Sequence, residues 1–344
     1  MSRSADGHET VRWLWTSRRP DARIVRALLV PVAGLWSSAM RLRALAYRRD
    51  WMKTRALPLP TVAVGNLTVG GSGKTPLAGW IAGELMARGR RPAILLRDVG
   101  GDESAVHREA IPGAIVVPDA DRLRGAKAAH AAGADVLVLD DAFQRLNVGR
   151  DLNICLISAE TTRAVRWPLP AGPWREGLRA LDRADLVIVT RKRADAETAA
   201  RLAEQLRHRT GTAVAVAHLA LTTLRGLVSG RPHPLSVLQG RRVVAASAIA
   251  DPASFVAQIK QTGAQVQVAT WNDHHAFRDE DLAWLAHAAR RADWLVVTAK
   301  DAVKLRDRWP ASVPEPLVAM LSIAWEAGES HIHAALDRMI VART

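Results

Sequence analysis

From residue 56 onward, the chain alternates short β-branched apolar runs with stretches in which apolar residues recur at helical spacing. Runs that are apolar at nearly every position predict strands buried on both faces, and helices between them predict a parallel sheet. A first set of strands is expected at 61–66, 92–97, 114–118, 135–141, 152–158, 185–190 and 212–219. A second set is expected at 241–249, 264–271, 293–300 and 316–323.

The stretch between the two sets, 224–240, is rich in glycine and proline and contains only short apolar pieces. Such a composition predicts a linker or a hairpin. We therefore expect an α/β protein with two α/β/α domains joined by a short linker or β-ribbon, with a cleft between them. The expected segments are a basic N-terminal segment (1–55), a first domain (56–223), the linker (224–240) and a second α/β domain that closes the cleft (241–344).

The composition is that of a folded protein, since 49% of the residues are hydrophobic and 24% are charged. The length of 344 residues is sufficient for two domains. Cys155 is the only cysteine, so no disulfide forms within the chain and a reducing compartment is expected. Its apolar surroundings in the sequence predict that Cys155 is a small buried residue.

Positive charge is concentrated at the N-terminus, where residues 1–55 carry twelve Lys and Arg but only four acids, and four of the twelve tryptophans. This combination favours a membrane surface as the partner, because that surface places negative charge beside an apolar phase. Nucleic acid is not expected, since no recognition module is present. The uncharged run 27–40 has fourteen residues, fewer than the ~20 that a membrane span needs. It predicts a helix lying in the interface or, alternatively, one packed on the domain.

A phosphate-binding loop is indicated by TVGGSGKTP, residues 68–76, between an expected strand and an expected helix. Gly-Lys-Thr ends the usual pattern, although Thr68 stands at its first glycine. Lys74 would reach the β- and γ-phosphates, and Thr75 would hold Mg²⁺. The backbone N–H groups that would approach the phosphates belong to Gly70, Gly71 and Gly73. The first domain is therefore expected to have a parallel sheet like that of P-loop NTPases.

Other polar residues follow expected strands, at the sheet edge where ligands bind in parallel sheets. Asp140 and Asp141 end the strand 135–141, and one of them would complete the Mg²⁺ shell. The remaining candidates lie on loops, and each set also has an ordinary explanation. Asp102 and Glu103 could form a surface turn, and Arg175 and Glu176 a salt bridge within a loop. Asp273, His274 and His275 could simply precede a helix at 279–291.

The motifs VGNLTVGGSGKTP, GDE, LDDAFQ, LPAGPWRE, DHH and TAKDAVK follow one another in an order and spacing that resemble one family. It is the tetraacyldisaccharide 4′-kinase family of lipid A biosynthesis, and the resemblance covers most of the chain, including the basic N-terminus. The resemblance also accounts for Thr68, because the loop of this family lacks the first glycine.

The resemblance implies a peripheral enzyme on the cytoplasmic face of the bacterial inner membrane. Such an enzyme transfers the γ-phosphate of ATP, with Mg²⁺, to the 4′-hydroxyl of a tetraacylated disaccharide 1-phosphate, forming the lipid A precursor lipid IVA. It implies Asp102 as the base, with His274 (or, alternatively, His275) as its partner, and Arg175 stabilising the transferring phosphoryl group. Nucleotide contacts are implied for Gly70, Gly71, Ser72, Gly73, Lys74, Thr75 and Gln144, and metal contacts for Thr75, Asp140, Asp141 and Glu176.

This chain departs from the family pattern at two places. The segment LRDVGGDES is shortened relative to the family, and Asp98 within it is a rival to Asp102 as the base. Ala299 stands where the family commonly has Glu.

Two other classes share a phosphate loop and a basic N-terminus: another membrane-associated P-loop ATPase or GTPase, and a nucleotide-binding membrane protein without turnover. TRKRAD and TAKD do not have the spacing of a guanine-reading motif. The retained Lys74, Asp140 and Asp141 argue against a protein without turnover. The sequence leaves the oligomeric state and the acyl chains of the substrate open.

Overall fold

The computed structural model describes residues 11–342, except Arg12, Arg18, Val99 and 161–166. The helices and strands are, in chain order, α1 (Pro20–Arg48), β1 (Thr61–Asn66), α2 (Lys74–Ala87), β2 (Pro92–Leu96), α3 (Asp102–Ala110), β3 (Ile115–Pro118), α4 (Arg122–Ala131), β4 (Val136–Leu139), β5 (Leu152–Ser158), β6 (Leu186–Arg191), α5 (Ala196–Thr210), β7 (Ala213–Gly226), β8 (Pro232–Pro234), β9 (Arg242–Ser247), α6 (Pro252–Gln261), β10 (Gln265–Thr270), α7 (Asp279–Arg291), β11 (Trp294–Thr298), α8 (Ala299–Leu305), β12 (Leu317–Ala327) and α9 (Glu329–Val341).

The strands of the described residues form one sheet in the order β10-β9-β11-β12-β7-β6-β5-β1-β4-β2-β3, with β8 paired on β7. We call the part of this order from β7 to β3 the first half of the sheet and the part from β10 to β12 the second half. All neighbouring strands within each half are parallel. The expected α/β class with a P-loop-like parallel sheet is therefore confirmed. Each expected strand is present, with ends shifted by a few residues.

A long antiparallel ribbon of β7 and β12 joins the two halves. Its register runs from Leu317 opposite Gly226 to Ala327 opposite Val216, with irregularities that bend it. The expected linker 224–240 therefore begins inside β7 and turns back through β8, which pairs with β7 as a hairpin. The composition of this segment is compatible with either a linker or a hairpin, and the structure contains the hairpin.

The C-terminal helix differs from the expected segment 241–344, because α9 packs on the first half of the sheet. Its buried residues join the apolar cluster that contains Val62 of β1 and Leu77 of α2. They recur at helical spacing and are Ile332, Ala335, Leu336 and Met339. The reason is topological: β12 runs antiparallel to β7 and returns the chain to the first half.

Helix α1 extends over Pro20–Arg48, well beyond the uncharged run 27–40. Among the described residues, it is the helix long and apolar enough to cross a membrane by length and composition alone. Most of its surface is exposed, including the large apolar residues Ile24, Val25, Leu28, Val32, Leu35, Trp36 and Leu42. Of the arginines counted in the N-terminal segment, Arg3, Arg12 and Arg18 lie outside the described residues.

Cys155 lies in the middle of β5 and is fully buried. It packs in a cluster with Leu67, Phe143 and Val187, which follow or belong to neighbouring strands. Burial in this apolar cluster raises the pKa of the thiol far above its usual value. Cys155 is thus the small buried residue that the sequence predicts.

Candidate active site

The loop between β1 and α2 is fixed by hydrogen bonds from side chains of β1 and β6. Asn66 Nδ2 donates to Ser72 Oγ over 2.7 Å, and Thr190 Oγ1 donates to the Ser72 carbonyl over 2.9 Å. Gly73 ends the loop with a φ of 91°, a conformation that favours glycine, and a Cβ there would collide with Leu219. The loop therefore presents the N-terminus of α2 at the sheet edge.

Asp141 lies between two cations at this edge. Its Oδ1 is 3.6 Å from Lys74 Nζ and 3.1 Å from Arg175 Nη1, and its Oδ2 is 3.2 Å from the same arginine nitrogen. Asp141 has a φ of 50°, a backbone conformation that non-glycine residues seldom adopt and that clusters at functional sites. Lys74 and Arg175 thus face one small region in which a phosphate charge would be neutralised.

Asp140, the residue before Asp141, is buried and contacts His107 of α3. His107 Nε2 lies 3.1 Å from Asp140 Oδ2, and both side chains are almost fully buried. Burial acts to raise the pKa of Asp140, but the hydrogen bond from His107, the charges of His107 and Lys74 and the nearby Thr75 hydroxyl outweigh it and lower that pKa. Asp140 is therefore a carboxylate close to the loop threonine.

The residues at this point fit a Mg²⁺ ion of the P-loop type. Asp140 Oδ1 is buried and has no hydrogen-bond partner among the described residues. Within the same part of the chain, no cluster of three His, Cys, Asp or Glu side chains forms a complete metal site. Mg²⁺ in phosphate sites is usually held by one or two carboxylates together with substrate phosphates and water, so Asp140 and Thr75 are sufficient.

Asp102 begins α3 and is contacted from the second half of the sheet. Its Oδ2 lies 3.0 Å from His274 Nδ1 and 3.3 Å from Lys304 Nζ, whereas its buried Oδ1 has no partner among the described residues. Burial acts to raise the pKa of Asp102, but the hydrogen bond from His274 and the charges of Lys300 and Lys304 lower it to about 2. Asp102 is thus ionised at neutral pH, with one oxygen available.

Two further ion pairs connect α3 with α8 and the residue after it. Glu103 Oε1 lies 2.6 Å from Lys300 Nζ, and Glu109 Oε2 lies 3.0 Å from Arg306 Nη2. Ala299, at the start of α8, packs against the apolar core of the second half. The short helix that contains the TAKDAVK motif therefore presents its cations to the acids of α3.

The structure gives the two neighbouring histidines different partners. His275 Nε2 lies 2.8 Å from Asp281 Oδ2 and its ring stacks on Trp271, away from Asp102. Asp98 Oδ2 accepts a hydrogen bond from the backbone N–H of Ser104, in the first turn of α3. Of the two histidines, His274 is thus the one that contacts Asp102. Asp98 contacts the backbone of the same helix and, like Asp102, keeps a second buried oxygen without a hydrogen-bond partner among the described residues.

The Pro/Gly loop before Arg175 is attached directly to the phosphate loop. The Arg175 N–H donates to the Leu67 carbonyl, and the Val69 N–H donates to the Pro173 carbonyl, each over 2.8 Å. Glu176, in contrast, pairs with Arg183 at 2.6 Å, and the structure gives it no contact with Lys74 or Asp141. Gln144 donates from Nε2 to the Asn66 carbonyl over 2.7 Å, at the base of the loop.

Helix α1 contacts the backbone of two candidate residues. Trp36 Nε1 donates to the Arg175 carbonyl over 2.9 Å, and Arg43 Nη1 donates to the Gln144 carbonyl over 3.1 Å. The apolar N-terminal helix therefore lies against the loops that carry the candidate site.

Three side chains have no pattern in the sequence that predicts a site role, although the structure brings them to the site. Lys304 belongs to the TAKDAVK motif, which does not by itself indicate a role for this lysine. His107 follows Asp102 by five residues, with no pattern to mark it. Lys192 Nζ donates to the Gly71 carbonyl over 2.6 Å and to Asp251 Oδ2 over 3.1 Å, which connects the phosphate loop with the second half.

Comparison with known proteins gives one consistent result. The pattern of the tetraacyldisaccharide-1-P 4′-kinase family matches residues 25–100 and 97–341. A tetraacyldisaccharide 4′-kinase from Geobacter sulfurreducens is 34% identical, over 93% of this chain and 95% of its own. One from Geobacter metallireducens is 38% identical, over 82% and 89%. The crystal structure of LpxK from Aquifex aeolicus in complex with ATP has a TM-score of 0.72 and 25% identity, over 92% of this chain and 99% of its own.

Proposed function

The chain belongs to the tetraacyldisaccharide-1-P 4′-kinase family, and from that premise we propose how its residues carry out the reaction. It is an ATP-dependent kinase that phosphorylates the 4′-position of the tetraacyldisaccharide in lipid A biosynthesis. The acceptor atom is the 4′-hydroxyl oxygen, which forms a bond to the γ-phosphorus of ATP as the bond to ADP breaks. The proton of that hydroxyl must leave, so the site needs a group that accepts it.

The observation that carries the assignment of the base is the buried Asp102 carboxylate with only one oxygen engaged by protein. His274 and Lys304 hold Oδ2, and Oδ1 remains to accept the hydroxyl proton. A pKa near 2 makes Asp102 a weak base. This is sufficient in phosphoryl transfer, because the loose transition state depends mainly on position and charge, and the proton is transferred to an oriented carboxylate.

The nucleotide would bind with its phosphates on the loop from Gly70 to Thr75. The backbone N–H groups at the start of α2 and the Lys74 ammonium would neutralise the β- and γ-phosphates. Thr75 and Asp140 would hold Mg²⁺. When bound, the metal neutralises developing charge on the phosphate oxygens.

Arg175 is proposed to stabilise the phosphoryl group in transfer. Without nucleotide its guanidinium contacts Asp141, which also contacts Lys74. A phosphate between these two cations would offer them a stronger partner, since charge-assisted bonds from guanidinium to phosphate can be bidentate. Asp141 is exposed enough to turn toward the nucleotide side or solvent when that exchange occurs.

We propose that the enzyme acts at the cytoplasmic face of the inner membrane, with α1 in the lipid interface. The support is the row of exposed apolar side chains on α1, combined with the basic residues that flank it. A tetraacylated acceptor resides in the same lipid phase. The contacts of Trp36 and Arg43 with the site loops would hold the reacting groups close to that phase.

The decisive experiment measures transfer of the γ-phosphate from ATP to a detergent-solubilised tetraacyldisaccharide 1-phosphate with Mg²⁺. Wild type is compared with Lys74→Ala, and the expected result is Mg²⁺-dependent product that is lost in the variant. Thermal unfolding of both proteins provides the control for folding. Absence of product in a wild-type protein that still binds ATP would contradict the proposal, because the acceptor would then differ.

A further inference from the structure

His107 has no counterpart among the residues expected from the sequence, yet it is one of the most buried polar residues of the site. Its side chain is 1% exposed, and Asp140, which it contacts, is 3% exposed. The imidazole reaches across from α3 to the end of β4, with Nε2 3.1 Å from Asp140 Oδ2. A buried pair of this kind persists only when each member has a satisfied partner.

The hydrogen bond from His107 occupies one oxygen of the Asp140 carboxylate and leaves the other oxygen without a partner among the described residues. Asp140 Oδ2 accepts from His107, whereas Oδ1 is buried without a partner among the described residues. A buried carboxylate with one unpaired oxygen is costly unless a cation or a donor completes it. The arrangement therefore orients Asp140 so that one defined oxygen remains for a ligand.

The ring of His107 has a fixed place between two elements. A Cβ added to Gly79 of α2 would lie 3.8 Å from His107 Nδ1, so the ring lies close to the backbone of the helix that follows the phosphate loop. The same helix α3 carries Asp102 at its first position. One rigid element thus holds the residue that orients Asp140 and the residue that faces the acceptor hydroxyl.

We infer that His107 is a positioning residue for the Mg²⁺ carboxylate Asp140, and that through α3 it keeps this carboxylate in register with Asp102. The inference rests on the proposed use of Asp140 for Mg²⁺. His107 itself contacts neither substrate nor metal, and its role is that of a hydrogen-bond donor to a metal-binding carboxylate. Loss of such a partner typically lowers metal affinity about 10- to 100-fold.

The test is the affinity of a non-hydrolysable ATP analogue, measured by calorimetry across a series of Mg²⁺ concentrations without any lipid acceptor. In wild type, Mg²⁺ should tighten binding, and Asp140→Asn should lose that effect. His107→Leu should require roughly 10- to 100-fold more Mg²⁺ for the same tightening. Its affinity for the analogue without Mg²⁺ should stay unchanged.

A conservative variant separates positioning from packing. His107→Gln keeps an N–H donor of similar reach and should restore most of the Mg²⁺ affinity, whereas His107→Asn is too short and should not. Should His107→Leu fail to fold, the comparison of the Gln and Asn variants carries the test alone. His333→Leu is the matched control, because His333 also contacts charged residues between two helices but lies outside the site.

Several results would overturn the inference. One is a wild-type Mg²⁺ requirement in His107→Leu, and another is equal loss in the Gln and Asn variants. If His107→Leu weakened binding of the ATP analogue equally with and without Mg²⁺ and also lowered the melting temperature, the role of His107 would be packing of the core only. A wild-type protein without any Mg²⁺ effect on nucleotide affinity, or an Asp140→Asn variant that retains the effect, would instead refute the metal assignment in the proposed function, and the inference with it.

Discussion

Asp102 and His274 are 172 residues apart in the sequence, yet Asp102 Oδ2 and His274 Nδ1 lie 3.0 Å apart. Asp102 begins a helix of the first half, and His274 lies on a loop of the second half with a φ of 60°. A non-glycine residue in this conformation is uncommon and indicates that the surrounding structure holds it. The pair therefore depends on the packing of α3 of the first half against this loop of the second half.

Substitution of either member should lower transfer without an effect on nucleotide binding. Asp102→Asn removes the proton acceptor, and we expect a fall in turnover of roughly 10²- to 10⁴-fold. His274→Ala should cause a smaller loss, since it orients rather than accepts. Because the two act as a unit, the double variant should be about as slow as Asp102→Asn alone. Steady-state kinetics with a nucleotide-binding assay measure this, and losses that multiply would contradict a shared role.

The same pair predicts a pH-dependent contribution to stability. The hydrogen bond that His274 donates to Asp102 raises the pKa of His274 above its usual 6.5, although partial burial acts in the opposite direction. A raised pKa means that this stabilisation is fully present below pH 6.5 and is lost as the pH rises through the folded-state value. The difference in melting temperature between wild type and His274→Gln should therefore be largest near pH 6 and shrink toward pH 9. A difference that grows with pH would exclude the assignment.

Arg175→Met should affect turnover much more than ATP affinity. An arginine that contacts the transferring phosphoryl group is worth about 10³-fold or more in turnover. The KM for ATP should change little, because the loop and Lys74 hold the β- and γ-phosphates in the ground state. Arg179→Met is the control for the loss of a positive charge, because Arg179 lies four residues later, in the short 3-10 helix Leu178–Arg183, and is exposed. If both substitutions lowered turnover equally, Arg175 would contribute only to the positive charge of the region and would not contact the transferring phosphoryl group.

Substitution of exposed leucines of α1 by a charged residue should release the protein from membranes. Leu28 and Leu35 are each 73% exposed and lie two turns apart on one face of the helix. Burial of a leucine is worth about 1.5–3 kcal/mol, so each Leu→Glu substitution should weaken vesicle binding about tenfold or more. Co-sedimentation with anionic phospholipid vesicles measures this. Val228→Glu and Val341→Glu, also exposed but away from α1, should bind vesicles as wild type does.

The helices, the strands and the phosphate loop can be predicted from the order of the residues alone. Apolar runs and helical spacing are local properties, and they sufficed to predict the strands and the parallel class. Gly-Lys-Thr between a strand and a helix predicted the loop for the same reason, because the backbone geometry that binds phosphate is built from consecutive residues. The family resemblance, carried by motifs in order along the chain, gave the activity.

The side-chain contacts between the two halves, in contrast, depend on the packing of elements that are far apart in the chain. His274 rather than His275 contacts Asp102, Asp98 accepts from the Ser104 N–H, and Glu176 pairs with Arg183, because each outcome depends on how α3, α8 and the loops pack. The same holds for His107, whose partner Asp140 comes from another element. Hydrogen bonds and ion pairs extend over about 3 Å, and such distances between residues far apart in the chain arise only from packing.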